Sequence, residues 1–333
     1  MPNKTKKEKQ TKYIFNAEGS QIKADNIHPY LIDFPNVFLG NRTSPICTAP
    51  KMLMGNMPND NKGCLSNIST QQKNEIVAKY PYSEKLFRRI WGAEEFVHNN
   101  ERWCLWLKDI NPVEYIDIKP ITEAIEKVKK AREKSTRSGT RKAANTPMLF
   151  GEIRQPDNGS YLLIPRHTTG LRNYIPMDFE RYDVITTDAN VFIPNATIYH
   201  FGVLTSIVHM AWIQIVCGRI KSDFRYSVEG YNNFPWPKEN EVQKLKIEKT
   251  AQAIIDVRRK YSNCTFLQLY GENDYLFTDL VAAHKANDRA VMEAYGFAEG
   301  MSNEAIVGEL LKMYEKLTAN QPETKTKGRK KAK

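Results

Sequence analysis

The chain has 333 residues, with 49 lysines and arginines against 38 aspartates and glutamates, and a formal net charge of +11 at pH 7. This length allows about two domains that each bury a core, and the charge favours a polyanionic partner. Five scattered cysteines without a Cys-x-x-Cys pair argue against a disulfide framework and a zinc site. The N-terminus has no apolar signal core and no apolar stretch approaches roughly eighteen residues, so we expect a cytoplasmic protein without a membrane span.

The N-terminal third is predicted to be poor in long elements. The two ends of the chain, residues 1–12 and 319–333, are lysine-rich tails that we expect to be disordered. Residues 13–60 contain many turn-forming residues and are predicted to form loops and short strands. Ser69 can cap a helix that would run from Thr70 to Ile90.

The middle of the chain mixes both element types. Residues 102–107 (RWCLWL) have the composition of a strand, and residues 119–144 begin as a basic helix that should loosen after Ser135. Strands are predicted at Tyr161–Pro165 and Val184–Ile193.

An apolar helix is predicted from Ser206 to Cys217, directly before a polar, hairpin-like run from Gly218 to Ser227. An aromatic turn that contains proline, Tyr231 to Pro237, closes the passage. Such a helix could hold charged side chains at its exit against the base edges of DNA. An ordinary helix followed by a solvated loop explains the same residues equally well.

From about Lys238 the apolar residues recur at helical spacing. The sequence therefore predicts an α+β fold, in which a mixed-sheet domain over residues 13–237 is followed by a small helical domain over residues 238–318.

Several stretches match one protein family in the order of that family: NIHPYLIDFPN (26–36), GNMPND (55–60), GAEEFVHNNERWCLWL (92–107), TPMLFGEIRQP (146–156), YLLIP (161–165), the passage 197–237, and AHKANDRAVMEAYG (283–296). These stretches resemble the carboxy-terminal part of the MmeI-like (type IIL) restriction-modification proteins. Members of that family join a nuclease, an adenine-N6 methyltransferase, a target-recognition domain and a helical tail. The resemblance implies that this chain is a sequence-specific module for recognising double-stranded DNA.

The chain departs from the family at its catalytic motifs. It has neither the Gly-rich loop that seats S-adenosyl-L-methionine nor the (Asn/Asp/Ser)-Pro-Pro-aromatic turn that holds a flipped base. Asn233-Phe234-Pro235-Trp236 is only superficially similar to that turn, and we expect it to be a packed, proline-stiffened turn. The resemblance thus implies no catalysis and no cofactor on this chain. S-adenosyl-L-methionine would bind a methyltransferase domain on a separate chain or lost from a truncated gene, with residues 13–27 as a remnant of its linker.

Base recognition requires donors and acceptors that match the major-groove edges. Arg or Lys donates to guanine, whereas Asp or Glu accepts from cytosine. By resemblance, the run from Gly218 to Ser227 supplies Lys221, Asp223 and Arg225, with Lys221 and Asp223 alternating on one short strand. Arg166 and Asp188 form a second candidate pair, and we expect each pair to read one G·C base pair. The competing interpretation is a surface ion pair of little energetic value.

Phosphate contacts should supply affinity rather than specificity. The candidates are Lys51, Lys130, Arg132, Arg137, Arg141, Arg172 and Arg219. For the basic run of residues 127–142, a solvated helix face is an equal alternative. The histidines have no metal-ligand spacing, and His209 and His284 are predicted to be core or interface residues.

Two other functions stay open. The chain could be an enzyme that binds S-adenosyl-L-methionine itself, or a stand-alone, non-catalytic protein that binds DNA or RNA. Binding of the cofactor, and competition between duplex DNA and structured RNA, would separate these functions.

Overall fold

The computed structural model describes residues 11–15, 19–28, 31, 33–220 and 223–319. The strands are β1 Lys12–Phe15, β2 Gln21–Ala24, β3 Leu53–Met54, β4 Phe87–Trp91, β5 Trp103–Leu105, β6 Ser160–Pro165, β7 His167–Thr168, β8 Asp178–Arg181, β9 Ile185–Thr186, β10 Asn190–Pro194, β11 Arg219–Ile220 and β12 Asp223–Arg225. The helices are α1 Thr70–Lys79, α2 Ala93–His98, α3 Lys119–Glu133, α4 Ser138–Lys142, α5 Ile198–Leu204, α6 Ile207–Val216, α7 Val228–Asn232, α8 Glu241–Lys260, α9 Phe266–Leu269, α10 Thr278–Tyr295 and α11 Asn303–Thr318. Short 3-10 turns lie at Pro81–Leu86, Pro112–Glu114, Ala143–Asn145 and Asp274–Leu276.

The predicted α+β class with mixed sheets is confirmed. A four-stranded sheet has the order β3-β10-β6-β8, and its neighbouring strands are antiparallel. A second sheet has the order β5-β4-β9, and its β4–β9 pair is parallel. A third, small sheet has the order β11-β12-β7. The helices α8 to α11 follow the last strand.

Two predicted elements are divided. The helix predicted from Thr70 to Ile90 ends at Lys79, because Pro81 removes a backbone donor and opens a 3-10 turn that leads into β4. The strand predicted over residues 184–193 becomes β9 and β10, because β9 pairs with β4 whereas β10 pairs with β6. The turn between them, residues 187–189, carries Asp188.

The helix predicted before Ser135 does end near that residue. Its last residue is Glu133, and the chain resumes as the short helix α4. The predicted apolar helix is also confirmed: α6 spans Ile207–Val216, and the Ser206 hydroxyl group accepts a hydrogen bond from the backbone N–H of His209.

One large core joins the sheet domain to the C-terminal helices. Buried residues of β6, β10, α5 and α6 pack with those of α8, α10 and α11 in a single cluster. Gly202 of α5 lies so close to α8 that an added Cβ would stand 2.7 Å from Ile247 Cγ2. The core of the sheet domain is therefore continuous with that of the C-terminal helices, and a second cluster lies around β4, β5 and α3.

The aromatic turn after α7 belongs to this large core. Phe234 and Asn233 are fully buried, and Trp236 is 6% exposed. The indole N–H of Trp212 donates to the Gly230 carbonyl at 2.9 Å. The turn is packed, as the sequence predicted.

The hairpin of β1 and β2 leaves apolar side chains on the surface. Tyr13, Phe15 and Ile22 are 44%, 65% and 62% exposed. Because Lys12 opens β1, the predicted N-terminal tail ends earlier than residue 12. Residues 1–10 and 320–333, on which the remaining prediction of disorder falls, lie outside the described residues.

Among the described helices, no single one combines the length and apolar composition of a membrane span; only α5 and α6 taken together do so, and they are bent by 57° at their junction. The cysteines are free thiols, of which Cys104 and Cys217 are buried and the other three are half-buried.

Candidate nucleic-acid interface

The sheet edge formed by the ends of β6, β7, β10 and β12 brings four of the predicted base-contacting residues together. Arg166 follows β6 directly, and Asp188 lies in the turn before β10. The backbone N–H of Tyr226, just past β12, donates to the Arg166 carbonyl at 2.7 Å. This bond joins the four-stranded sheet to the small sheet that carries Asp223 and Arg225, and we call the resulting surface the charged edge.

Arg166 and Asp188 are close neighbours, as predicted. The Arg166 Nη1 donates to the backbone carbonyl of Asp188 at 2.9 Å, and its backbone N–H donates to the Ala189 carbonyl at 3.1 Å. Burial and the Arg225 guanidinium lower the pKa of Arg166, while Asp188 acts in the opposite direction. The Arg166 Nε is buried and has no hydrogen-bond partner among the described residues.

Asp223 and Arg225 lie on the same face of β12, because strand residues two apart point to the same side. Ile220 is paired with Asp223, so the chain reverses direction between β11 and β12. The prediction that Lys221 and Asp223 alternate on one strand stays untested, because it depends on a residue whose structure is not described. Lys221 lies outside the described residues.

His167 is a residue of the charged edge that the sequence did not single out. It lies directly opposite Arg225 in the β7–β12 ladder, and both side chains are exposed. Opposed residues in an antiparallel pair share a face, so His167, Asp223 and Arg225 form one surface. Burial, together with Arg166 and Arg225, lowers the pKa of His167, with Asp223 opposing them. A neutral imidazole offers one donor and one acceptor.

A buried polar network fixes the turn that carries Asp188. The Asn56 side chain is fully buried, donates to Gln155 Oε1 at 2.8 Å and to the Thr186 carbonyl at 2.9 Å, and its backbone carbonyl accepts from the Asp188 N–H. Gly55 is required beside it, because an added Cβ would stand 1.9 Å from the Thr187 carbonyl oxygen. Rigid support of this kind is what a recognition surface needs to hold its side chains in register.

Arg132 is buried, and its assignment as a phosphate contact is wrong. It is 2% exposed, and its guanidinium donates to five backbone carbonyls. These carbonyls belong to Pro58, Asn59, Ala143, Thr146 and Leu149. The side chain therefore fastens the end of α3 to two neighbouring loops.

Arg172 is also buried. It is 9% exposed and lines a cavity, and its role as a DNA phosphate contact stays a prediction.

The remaining phosphate candidates are exposed: Lys51, Lys130, Arg137, Arg141 and Arg219. Lys130 forms an ion pair with Glu126 at 3.4 Å, and Arg141 Nη1 donates to the carbonyls of Ser135 and Thr136. The Arg219 guanidinium lies over the Phe224 ring, 4.4 Å from its centroid. The phosphate role of these five residues stays a prediction.

The two histidines predicted to be structural are buried in hydrogen-bonded positions. His209 Nε2 lies 2.7 Å from the Tyr226 hydroxyl group, and His284 Nε2 lies 2.9 Å from the Tyr270 hydroxyl group. Within the part of the chain that the structure describes, no group of three or more His, Cys, Asp or Glu could hold a metal ion.

Comparison with known proteins decides the family. The family model of the MmeI target recognition domain matches residues 33–238, and that of the MmeI C-terminal domain matches residues 239–321. The chain belongs to the MmeI family. DNA methyltransferase A of Bacillus subtilis (strain 168) is 37% identical over 314 residues, which are 93% of this chain and 35% of that protein.

A solved structure of the Type IIL restriction-modification enzyme MmeI, in complex with DNA, has the same architecture. It superposes with a TM-score of 0.85 at 39% identity, over 91% of this chain and 40% of that chain. The present chain thus spans about a third of the curated relative and two fifths of the solved one. It comprises the target-recognition and C-terminal domains of an MmeI protein, as the resemblance had implied.

Proposed function

We propose that this chain is the duplex-DNA recognition module of an MmeI-like adenine-N6 DNA methyltransferase system. One observation carries the proposal: oppositely charged side chains from three separate segments converge on the charged edge. They are Arg166, Asp188, Asp223 and Arg225. The likeness to an MmeI that was solved with DNA supports a nucleic-acid partner for this surface.

The chemistry of the charged edge suits major-groove readout. A guanidinium can donate to O6 and N7 of guanine, while a carboxylate can accept from N4 of cytosine. A basic and an acidic group held side by side can therefore read both halves of one G·C pair. We assign this role to the pair Lys221 and Asp223 and to the pair Arg166 and Asp188, with Arg225 adding a further donor.

Affinity in this proposal comes from exposed basic residues beyond the charged edge. Lys51, Lys130, Arg137, Arg141 and Arg219 are the candidates, and each neutralised phosphate should add about −0.9 to the slope of log affinity against log salt concentration.

The residues of this chain do not fit an S-adenosyl-L-methionine site. The Asn233–Trp236 turn is buried in the core, so it presents no surface on which a flipped base could stack. The Gly-rich cofactor loop is missing from the sequence. We therefore propose that methyl transfer and DNA cleavage belong to domains outside these residues.

The test is selection of binding sites by the 333-residue chain from a pool of randomised duplexes. The proposal expects one enriched motif, steep weakening of binding with salt, and little competition from structured RNA. It also expects no equilibrium binding of S-adenosyl-L-methionine to the chain. Lack of an enriched motif, with equal competition from RNA, would identify a nonspecific nucleic-acid binder instead.

A further inference from the structure

A cavity of about 570 Å³ lies between the loop after β7 and the segment around α9, where the target-recognition domain meets the C-terminal domain. Leu171 lines one side, and Leu267, Leu276 and Phe277 line the other. Small-molecule sites typically have volumes of roughly 300–1,000 Å³ and mostly apolar walls with few polar groups. The size and lining of this cavity match that description.

The guanidinium of Arg172, which lines this cavity, is incompletely hydrogen-bonded. It is 9% exposed, its Nη1 makes one long hydrogen bond of 3.4 Å to Thr168 Oγ1, and its Nε has no partner. Among the described residues, no carboxylate forms an ion pair with it. Buried guanidinium groups are normally paired or fully hydrogen-bonded, as Arg132 is in this chain.

The surroundings of Arg172 are held in place across the boundary between the domains. The Asn173 side chain donates to Asp274 Oδ2 at 3.1 Å, and the Tyr174 hydroxyl group donates to Asp288 Oδ2 at 2.7 Å. The cavity is therefore bounded by two anchored segments. Burial lowers the pKa of Arg172, and the charge of Asp223 opposes that shift.

We propose that this cavity binds a nucleoside monophosphate, with its phosphate on Arg172 and its base against the apolar walls. Glu272, which lines the same cavity, supplies an acceptor for the exocyclic amine of adenine or cytosine. The phosphate accepts the donors that Arg172 leaves unused, and a planar base fills the apolar part. The nucleotide reaches the cavity either as a free molecule or as an extrahelical nucleotide of bound DNA.

The experiment uses the full chain and titrates it with dAMP, dCMP, dTMP and inorganic phosphate, with calorimetric detection. We expect dAMP and dCMP to bind more tightly than dTMP, and inorganic phosphate to bind weakly. Arg172→Met should weaken dAMP binding about tenfold or more, because a charge-assisted hydrogen bond is lost. Arg181→Met is the matched control, since Arg181 is exposed and does not line the cavity.

Further variants distinguish a loss of nucleotide binding from a folding defect. Glu272→Gln, at an exposed position, should reduce the preference for dAMP and dCMP over dTMP without unfolding the protein. Arg172→Lys should retain part of the affinity. If the wild type fails to bind dAMP at millimolar concentration, or if Arg172→Met binds it as tightly as Arg181→Met does, the cavity is not a nucleotide site.

A last comparison identifies the source of the nucleotide. A duplex with a single unpaired adenosine that displaces dAMP, when the fully paired duplex does not, indicates an extrahelical nucleotide. Displacement by neither duplex indicates a free nucleotide. Both results support a nucleotide site in the cavity, and neither depends on whether the charged edge reads bases.

Discussion

His167 and Arg225 are paired across the β7–β12 ladder, and both side chains are exposed on the face that also carries Asp223. The register places an imidazole beside Asp223 and Arg225, two of the five charged groups that we propose as base contacts. Burial and the flanking arginines lower its pKa, which favours the neutral imidazole, and a neutral imidazole can both donate and accept hydrogen bonds.

The first prediction concerns this histidine. His167→Ala should relax base preference at one position of the selected site and leave the other positions unchanged, because one base-edge contact is worth about 1–3 kcal/mol of discrimination. Selection from randomised duplexes measures the effect. His98→Ala is the control, since His98 is exposed on α2. An unchanged motif in the His167 variant would exclude it from the recognition surface.

The second prediction concerns stability. Arg132→Met removes five hydrogen bonds to backbone carbonyls and should lower the free energy of unfolding by about 3 kcal/mol or more. Urea denaturation at pH 7 measures the change. Lys130→Met, on the exposed face of α3, should change it by less than about 0.5 kcal/mol. Equal effects of the two substitutions would mean that Arg132 is not a structural anchor.

The third prediction concerns pH. Burial raises the pKa of Glu180 to about 7. The Trp91 indole N–H donates a hydrogen bond to Glu180 Oε1 at 2.9 Å, and this bond acts in the opposite direction by lowering the pKa. Because this pKa lies above the ordinary value of a glutamate, the contribution of Glu180 to the free energy of unfolding is fully present below about pH 4.5. It is lost as the pH rises through about 7. Relative to Glu180→Gln, which keeps an acceptor for Trp91, the wild type should lose on the order of 2–3 kcal/mol across this window.

Urea denaturation of both proteins at several pH values between 4.5 and 8 tests that difference. Asp183→Asn is the matched control, because its hydrogen bond to Arg181 lowers the pKa of Asp183 and moves its titration below this window. A difference between wild type and Glu180→Gln that does not vary with pH would show that Glu180 is ionised in the folded protein throughout.

Local signals in the sequence predicted the parts of the fold that depend on local physics. The serine cap and the apolar run of α6 could be predicted from the sequence, and so could the placement of Arg166 and Asp188 beside strand ends. The burial of Arg132 also had a signal that was overlooked: it continues the apolar series Ile121, Ile125 and Val128 at helical spacing, which directs it towards the core.

The pairing of strands that are distant in the sequence could not be predicted from such local signals. Nothing local to His167 shows that β7 pairs with β12, so its place opposite Arg225 depends on contacts between distant segments. The division of the strand predicted over residues 184–193 has the same origin, since β9 and β10 pair with different partners. The burial of Arg172 likewise depends on the approach of the C-terminal helices.

The most direct test of the account exchanges charges at the charged edge. The double substitution Lys221→Glu with Asp223→Lys keeps the net charge, so attraction to phosphates should persist, and selection from randomised duplexes should return a motif altered at one position. Glu309→Lys with Lys312→Glu, an ion pair on the surface of α11, is the matched control and should return the wild-type motif. An unaltered motif from the Lys221 and Asp223 exchange would contradict the claim that this edge reads bases.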